Sequence, residues 1–107
     1  MQHITAQELA QWLTDSSKKS PLLIDVREPG EYETCHIEGA QLMPMQTVPA
    51  RLNELNEDAT IVCICHHGGR SMQVAHFLEH RGYSKVINLT GGVHAWAQQV
   101  DPAMPTY

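Results

Sequence analysis

Three short apolar runs constrain the fold of this chain more than any other feature of its sequence. They cover residues 22–26, 60–65 and 86–89. Runs of this length without polar alternation are typical of strands that are buried on both faces, as in parallel sheets. Because segments with helical spacing separate them, the runs predict βαβ units. We therefore expect an α/β fold with a mainly parallel sheet and helices on both of its faces.

The segments between the runs carry recognisable helix signals. Thr5 and Glu8 form a capping box, and apolar residues follow at helical spacing, which predicts a helix over residues 6–16. Residues 71–81 separate into an apolar and a polar face, which predicts a second helix that ends before Gly82. Weaker patterns predict a helical turn at 31–34, a strand at 41–43, a helix near 49–55 and a short helix that contains Val93, Ala95 and Trp96.

The length of 107 residues is that of one compact domain. We expect this single domain to occupy residues 1–99. Residues 100–107 would form a tail, since Pro102 and Pro105 forbid regular structure there, and we expect it to lie as a loose strap on the surface.

Composition excludes several functional classes. The formal net charge is −5 and the lysines and arginines are scattered, so no basic stripe suits nucleic acid. The apolar runs are far shorter than the roughly 20 residues that span a bilayer, so no membrane segment is expected. The first residues lack the features of a secretory signal. The three cysteines are an odd number, and two of them, Cys63 and Cys65, lie one residue apart on one apolar run, so no disulfide framework is expected. We therefore expect a cytoplasmic location with free thiols.

Cys65 and the loop that follows it predict the chemistry. Cys65 ends a buried strand, at the sheet edge where α/β proteins bind ligands. Gly68 and Gly69 allow the loop to fold back so that its backbone N–H groups point at the sulfur. The helix that begins near Ser71 adds further donors and the positive end of its dipole. The sequence therefore predicts an anion-binding cradle around a thiol, which would favour the reactive thiolate.

Charged side chains near this loop are the expected supporting residues. Arg70, together with His66 or His67, would add positive charge to the cradle and attract a small anion to an acidic protein. Asp25 and Arg27 follow the first apolar run; they either orient the loop or form an ion pair that fixes the next turn.

Two glutamates and two cysteines complete the candidates. Glu28 or Glu31 would pair with Arg70 and hold the shape of the loop. Cys63, in the middle of a strand, is expected to be inert core. Cys35 falls in a turn that would allow its exposure, and nothing near it in the sequence indicates activation.

The sequence gives no support for a metal site or a cofactor. His76 and His80 match an H-x-x-E-H pattern, but they lie on the polar face of a short amphipathic helix without an evident third ligand. We therefore expect solvated histidines there.

Three ordered motifs resemble the signatures of the rhodanese (sulfurtransferase) family, specifically its single-domain members. Residues 23–40 resemble the pattern DVRE…EY…GHIxGA, residues 65–71 resemble the active-site loop CxxGxRS, and residues 89–96 are similar to LxGGxxAW. The resemblance covers nearly the whole chain. It implies a three-layer rhodanese-like fold with a sheet of about five strands. It also implies that Cys65 carries sulfur as a persulfide within a cradle of the amides from His66 to Ser71.

The function implied by this resemblance is sulfur transfer without a cofactor. A small anionic donor, thiosulfate or a persulfide, would place its outer sulfur on Cys65, and a thiol or cyanide would remove it. One alternative is a persulfide carrier that serves a protein acceptor. Another is a cysteine phosphatase or arsenate reductase, although four residues between Cys65 and Arg70 are one fewer than the related phosphatases have.

Overall fold

The computed structural model describes all 107 residues and consists of a parallel sheet with helices on both faces. Its strands are β1 (Gln2–Ile4), β2 (Leu22–Asp25), β3 (Gln41–Leu42), β4 (Ile61–Ile64) and β5 (Val86–Leu89). Its α-helices are α1 (Ala6–Thr14), α2 (Pro29–Thr34), α3 (Gly69–His80) and α4 (Gly92–Gln99), and two 3₁₀ helices cover Met45–Thr47 and Pro49–Glu54. The strand order is β1-β5-β4-β2-β3, and every pairing is parallel. The predicted fold class is therefore confirmed.

Side chains alternate between two hydrophobic cores, one on each face of the sheet. In β2, Leu23 packs into the core that α1 and α4 cover, whereas Ile24 packs into the core beneath α3. All four residues of β4 are buried, as are all four of β5. Burial on both faces explains why these strands are continuous apolar runs in the sequence.

The predicted elements are present with small differences in their bounds. Helix α1 ends at Thr14, two residues before the predicted end, because Asp15 turns into an extended conformation. Helix α3 begins at Gly69 rather than at Ser71 because Gly68, with a φ of 113°, forms its N-terminal cap. The predicted helix near residues 49–55 is a 3₁₀ helix over Pro49–Glu54.

Strand β1 has no counterpart among the predicted elements. Gln2 and His3 are exposed and only Ile4 is half-buried, so the strand lacks an apolar pattern. Its register comes from β5, where Ile4 pairs with Leu89.

The tail is anchored, which corrects the expectation of a loose strap. Val100 and Met104 pack against the core under α1 and α4. The Tyr107 hydroxyl lies 2.7 Å from Nη1 of Arg27 and 2.8 Å from a carboxylate oxygen of Glu31. These contacts bring residues 100–107 to the residues that follow the carboxyl end of β2. None of the helices combines the length and the apolar content that a membrane crossing requires.

Candidate active site

Cys65 lies immediately after β4, at the carboxyl end of the central part of the sheet. Cys65 is buried, with 2% of its surface exposed to solvent. The backbone N–H of Gly68 donates to Sγ at 2.9 Å, and Oγ of Ser71 lies 3.3 Å from Sγ. The loop thus folds back over the sulfur, places one backbone N–H donor on it and brings the Ser71 hydroxyl beside it.

Gly68 alone makes the tight turn of this loop. Its positive φ of 113° belongs to the left-handed region that favours glycine, whereas Gly69 has no positive φ and opens α3. The turn brings the Gly68 N–H to the sulfur and starts α3 beside it. The first turn of a helix has unpaired N–H groups, so the turn and the helix together supply the donors of the candidate cradle.

Asn88 is a site residue that the sequence analysis missed. It is buried in β5, and its Oδ1 accepts a short hydrogen bond from the Ser71 hydroxyl. The Ser71 oxygen also lies 3.1 Å from the carbonyl of Gly68. Asn88 therefore fixes the hydroxyl that faces Cys65. A polar residue within the apolar run 86–89 is the sequence signal that could have found it.

Gly92 allows the start of α4 to touch the backbone of the loop. A Cβ at this position would lie 2.2 Å from the carbonyl oxygen of Cys65, and the φ of Gly92 is 57°. The close approach lets Val93 N–H donate to the Cys65 carbonyl at 2.9 Å and His94 N–H donate to the His66 carbonyl at 3.1 Å. The first turn of α4 thus holds the loop in place.

Arg70 pairs with Glu31 rather than pointing freely at the cradle. Its Nη1 and Nη2 donate to the two carboxylate oxygens of Glu31 at 2.7 and 2.9 Å. These bonds from Arg70 hold the pKa of Glu31 down at about 2. Glu28 forms no hydrogen bond or ion pair with Arg70; its N–H instead donates to Glu31 at 3.0 Å, at the start of α2. The pair therefore ties α2 to α3 beside the loop.

Asp25 and Arg27 form a fully buried ion pair. Nε and Nη2 of Arg27 donate to the two carboxylate oxygens of Asp25 at 2.8 and 2.6 Å, and both side chains are 0% exposed. Arg27 also donates to the carbonyls of Glu31 and Cys35, at 3.3 and 2.7 Å. Arg27 thus fixes α2 and the turn after it. Its link to the loop is indirect, through Glu31.

Neither of the other two thiols resembles Cys65 in its surroundings. Cys63 is fully buried in β4, and burial raises the pKa of its thiol to about 12. Cys35 is also buried, at 8% exposure, although its place in a turn would have allowed exposure. It ends α2 and faces the interior beside His66 and His94. Cys65 alone receives an N–H donor from a loop.

The histidines divide into two groups. His76 and His80 are exposed on α3, with His76 near Glu79. His66 and His67, in the loop, lie beside His94 of α4, which the sequence places far from them. Burial, and then the proximity of His67 and His94, lower the pKa of His66 below its usual 6.5.

Known proteins resemble this chain in sequence and fold over nearly its full length. The family model described as "Rhodanese-like domain" matches residues 5–99. A relative named "Sulfurtransferase" from Allochromatium vinosum is 38% identical over 95 residues, which is 89% of this chain and 87% of the relative. The crystal structure of a rhodanese-like domain protein from Staphylococcus aureus matches with a TM-score of 0.85 and 34% identity, covering 100% of this chain and 99% of that one.

Longer proteins contain a similar segment. "Probable adenylyltransferase/sulfurtransferase MoeZ" from Mycobacterium tuberculosis is 42% identical over 106 residues, which is 97% of this chain and 26% of that protein. The chain spans less than a third of the first curated relatives that it matches. The family-model match and the whole-length relatives agree with one another. The chain belongs to the rhodanese-like domain family.

Proposed function

We propose that this protein is a sulfurtransferase that carries a sulfane sulfur as a persulfide on Cys65. The observation that carries the proposal is the contact between the Gly68 N–H and Sγ at 2.9 Å, at the start of α3. An N–H group that the fold aims at the sulfur can stabilise negative charge that develops there during transfer. The names of the whole-length relatives support the same class of reaction.

The reaction takes place in two half-reactions. In the first, the Cys65 thiolate attacks the outer sulfur of thiosulfate, a sulfur–sulfur bond forms, and sulfite leaves with the electron pair of the broken bond. In the second, a thiolate or cyanide attacks the outer sulfur of the persulfide and Cys65 leaves as a thiolate. The products are a new persulfide or thiocyanate, and no external oxidant or reductant is needed. This is covalent, ping-pong catalysis.

The loop stabilises the anion in both steps. Negative charge develops on the outer sulfur, which sits beyond Sγ, where the amides from His66 to Ser71 would surround it. Donors that the fold has already oriented need little reorganisation as the charge forms. The contacts of Ser71 with Asn88 and of Gly92 with Cys65 serve to keep these donors in place.

The length of the Cys65 loop disfavours an oxyanion substrate such as phosphate or arsenate. Four residues lie between Cys65 and Arg70, one fewer than the related cysteine phosphatases have. Two of the five N–H donors of Arg70 are engaged by the carboxylate of Glu31, at 2.7 and 2.9 Å. The shorter loop suits a single outer sulfur better than a tetrahedral oxyanion, which supports the sulfurtransferase function.

Intact mass spectrometry tests the proposal. The purified protein is incubated with thiosulfate, and in parallel with a small-molecule persulfide, and is then treated with cyanide. We expect a gain of one sulfur atom with either donor, followed by its loss as thiocyanate. Cys65→Ser should gain nothing, whereas Cys35→Ser, a matched change at another buried cysteine, should behave as wild type. Absence of the gain with both donors, or its persistence in Cys65→Ser, would overturn the proposal.

A persulfide carrier that serves a protein acceptor is the second candidate. It is favoured by a relative from Bacillus subtilis, 41% identical over 85 residues, whose name is "Putative sulfur carrier protein YrkF". Steady-state turnover separates the two candidates. An enzyme of small molecules should sustain turnover of thiosulfate with cyanide or a small thiol alone. A carrier should load one sulfur and release it only when a protein acceptor is added.

A further inference from the structure

Three histidines meet beside the Cys65 loop, and the proposed sulfur transfer uses none of their imidazoles. They are His66 and His67 of the loop and His94 of α4, and we refer to them as the histidine cluster. One ring nitrogen of each lies within 4.8 Å of the others. No other group of three or more histidine, cysteine or carboxylate side chains in the chain comes this close together.

The backbone beneath the histidine cluster is fixed. His94 N–H donates to the carbonyl of His66 at 3.1 Å, which locks the start of α4 to the loop. The close approach of Gly92 to the backbone of Cys65 and His66 makes this hydrogen bond possible. The ring of His67 is exposed and lies 5.0 Å from that of His94, so it is free to rotate toward it. Two ligands are thus held on a rigid frame, and the third is adjustable.

The state of His66 suits metal binding. Its Nδ1 is buried and has no hydrogen-bond partner. A buried ring nitrogen without a partner is costly, and a cation bound to Nδ1 would supply the missing partner.

Nearby arginines do not oppose a cation. Arg27 is paired with Asp25, and Arg70 is paired with Glu31. The ring of Tyr107 packs 4.3 Å from that of His66 and covers one side of the cluster. The formal charge of the whole chain, −5, also favours cation binding.

We propose that the histidine cluster is a site for Zn²⁺ with one open coordination position. Imidazole nitrogens bind zinc at about 2.0–2.1 Å, so tetrahedral ligands lie about 3.3 Å apart, and small side-chain rotations close the present spacing. Three histidines with an open fourth position are a known zinc arrangement. The inference goes beyond the proposed function and does not rest on it, since no ligand is a cysteine. It differs from the expectation, drawn from the sequence, that the chain has no metal site.

Calorimetric titration with Zn²⁺ tests this site on the full chain without a polyhistidine tag. We expect one ion per chain. His94→Gln and His67→Gln should each weaken zinc binding at least about tenfold, because each removes one ligand. The matched control is His76→Gln, which removes an exposed histidine outside the cluster and should leave the affinity unchanged. Circular dichroism checks that each variant is folded.

Cysteine variants and Co²⁺ complete the test and keep it separate from sulfur transfer. Cys65→Ser and Cys35→Ser should retain zinc, and Co²⁺ bound to the wild type should show visible d–d bands without a thiolate charge-transfer band. Absence of stoichiometric zinc, unchanged binding in both His94→Gln and His67→Gln, or loss of zinc in a cysteine variant would overturn the proposal. Failure of sulfur uptake would leave every one of these results unaffected.

Discussion

Among single residues, Gly92 decides how closely α4 approaches the Cys65 loop. We expect Gly92→Ala to destabilise the fold by at least about 2 kcal/mol. Alanine would be forced into the left-handed backbone conformation of residue 92, and its Cβ would collide with backbone atoms of the loop. The collision would be with the carbonyl oxygens of Cys65 and His66, at 2.2 and 2.5 Å. Chemical denaturation in urea measures the loss, and the mass assay should show slower sulfur loading.

Gly30→Ala is the matched control for this substitution. Gly30 lies within α2, has no positive φ, and has open space where the Cβ would be added. Alanine is the better helix former, so this variant should be as stable as wild type or more stable by up to about 1 kcal/mol. Equal stability of the two variants would contradict the assigned role of Gly92.

The predictability of a site residue depends on whether its role is local in sequence. Cys65, Gly68 and Ser71 could be assigned from the loop itself, because the strand before it and the helix after it place them. The roles of Gly92 and His94 could not, since they depend on a contact between α4 and a loop more than twenty residues earlier. Helical spacing predicts that α4 exists and says nothing of what its first turn touches.

Among the elements, strand length and burial explain which ones could be predicted. The fully buried strands β4 and β5 are visible as apolar runs, whereas β1 has two exposed residues out of three. β1 exists because it pairs with β5, a partner more than eighty residues away. Edge strands this short are formed by pairing with the neighbouring strand, and their own sequence pattern contributes little.

The link between α2 and α3 predicts how stability depends on pH. Hydrogen bonds from Arg70 hold the pKa of Glu31 at about 2, below its ordinary 4.5. A carboxylate with a lowered pKa in the folded state stabilises the protein above the unfolded pKa and loses that effect as pH falls. The difference in free energy of unfolding between wild type and Glu31→Gln should therefore be about 1 kcal/mol at pH 7. It should shrink as the pH falls from 4.5 toward 2.

Urea denaturation of both proteins across this pH range measures the difference. Glu33→Gln is the matched control, because it removes an exposed carboxylate from the same helix. We expect it to change the free energy of unfolding at pH 7 by under about 0.5 kcal/mol. A difference between wild type and Glu31→Gln that stays constant down to the lowest pH would show that the ion pair is not its origin.

In the molecule as a whole, Arg27 connects segments that are far apart in sequence. It is the largest of the fully buried side chains. Besides Asp25, it contacts the carbonyl of Cys35 and the hydroxyl of Tyr107, eighty residues further along the chain. The sequence alone left open whether Asp25 and Arg27 orient the loop or fix the turn. Only the folded chain shows that the pair fixes the turn and anchors the tail.

Asp25→Asn tests this connection because it removes the partner charge and leaves Arg27 buried. An unpaired buried charge costs about 3–5 kcal/mol, a large share of the roughly 5–15 kcal/mol that stabilises a typical domain. We therefore expect a much lower urea midpoint. Glu54→Gln breaks the exposed ion pair with Arg51, whose side chains are 42% and 31% exposed, and should cost under about 1 kcal/mol. Comparable losses in the two variants would mean that the buried pair contributes no more than a surface one.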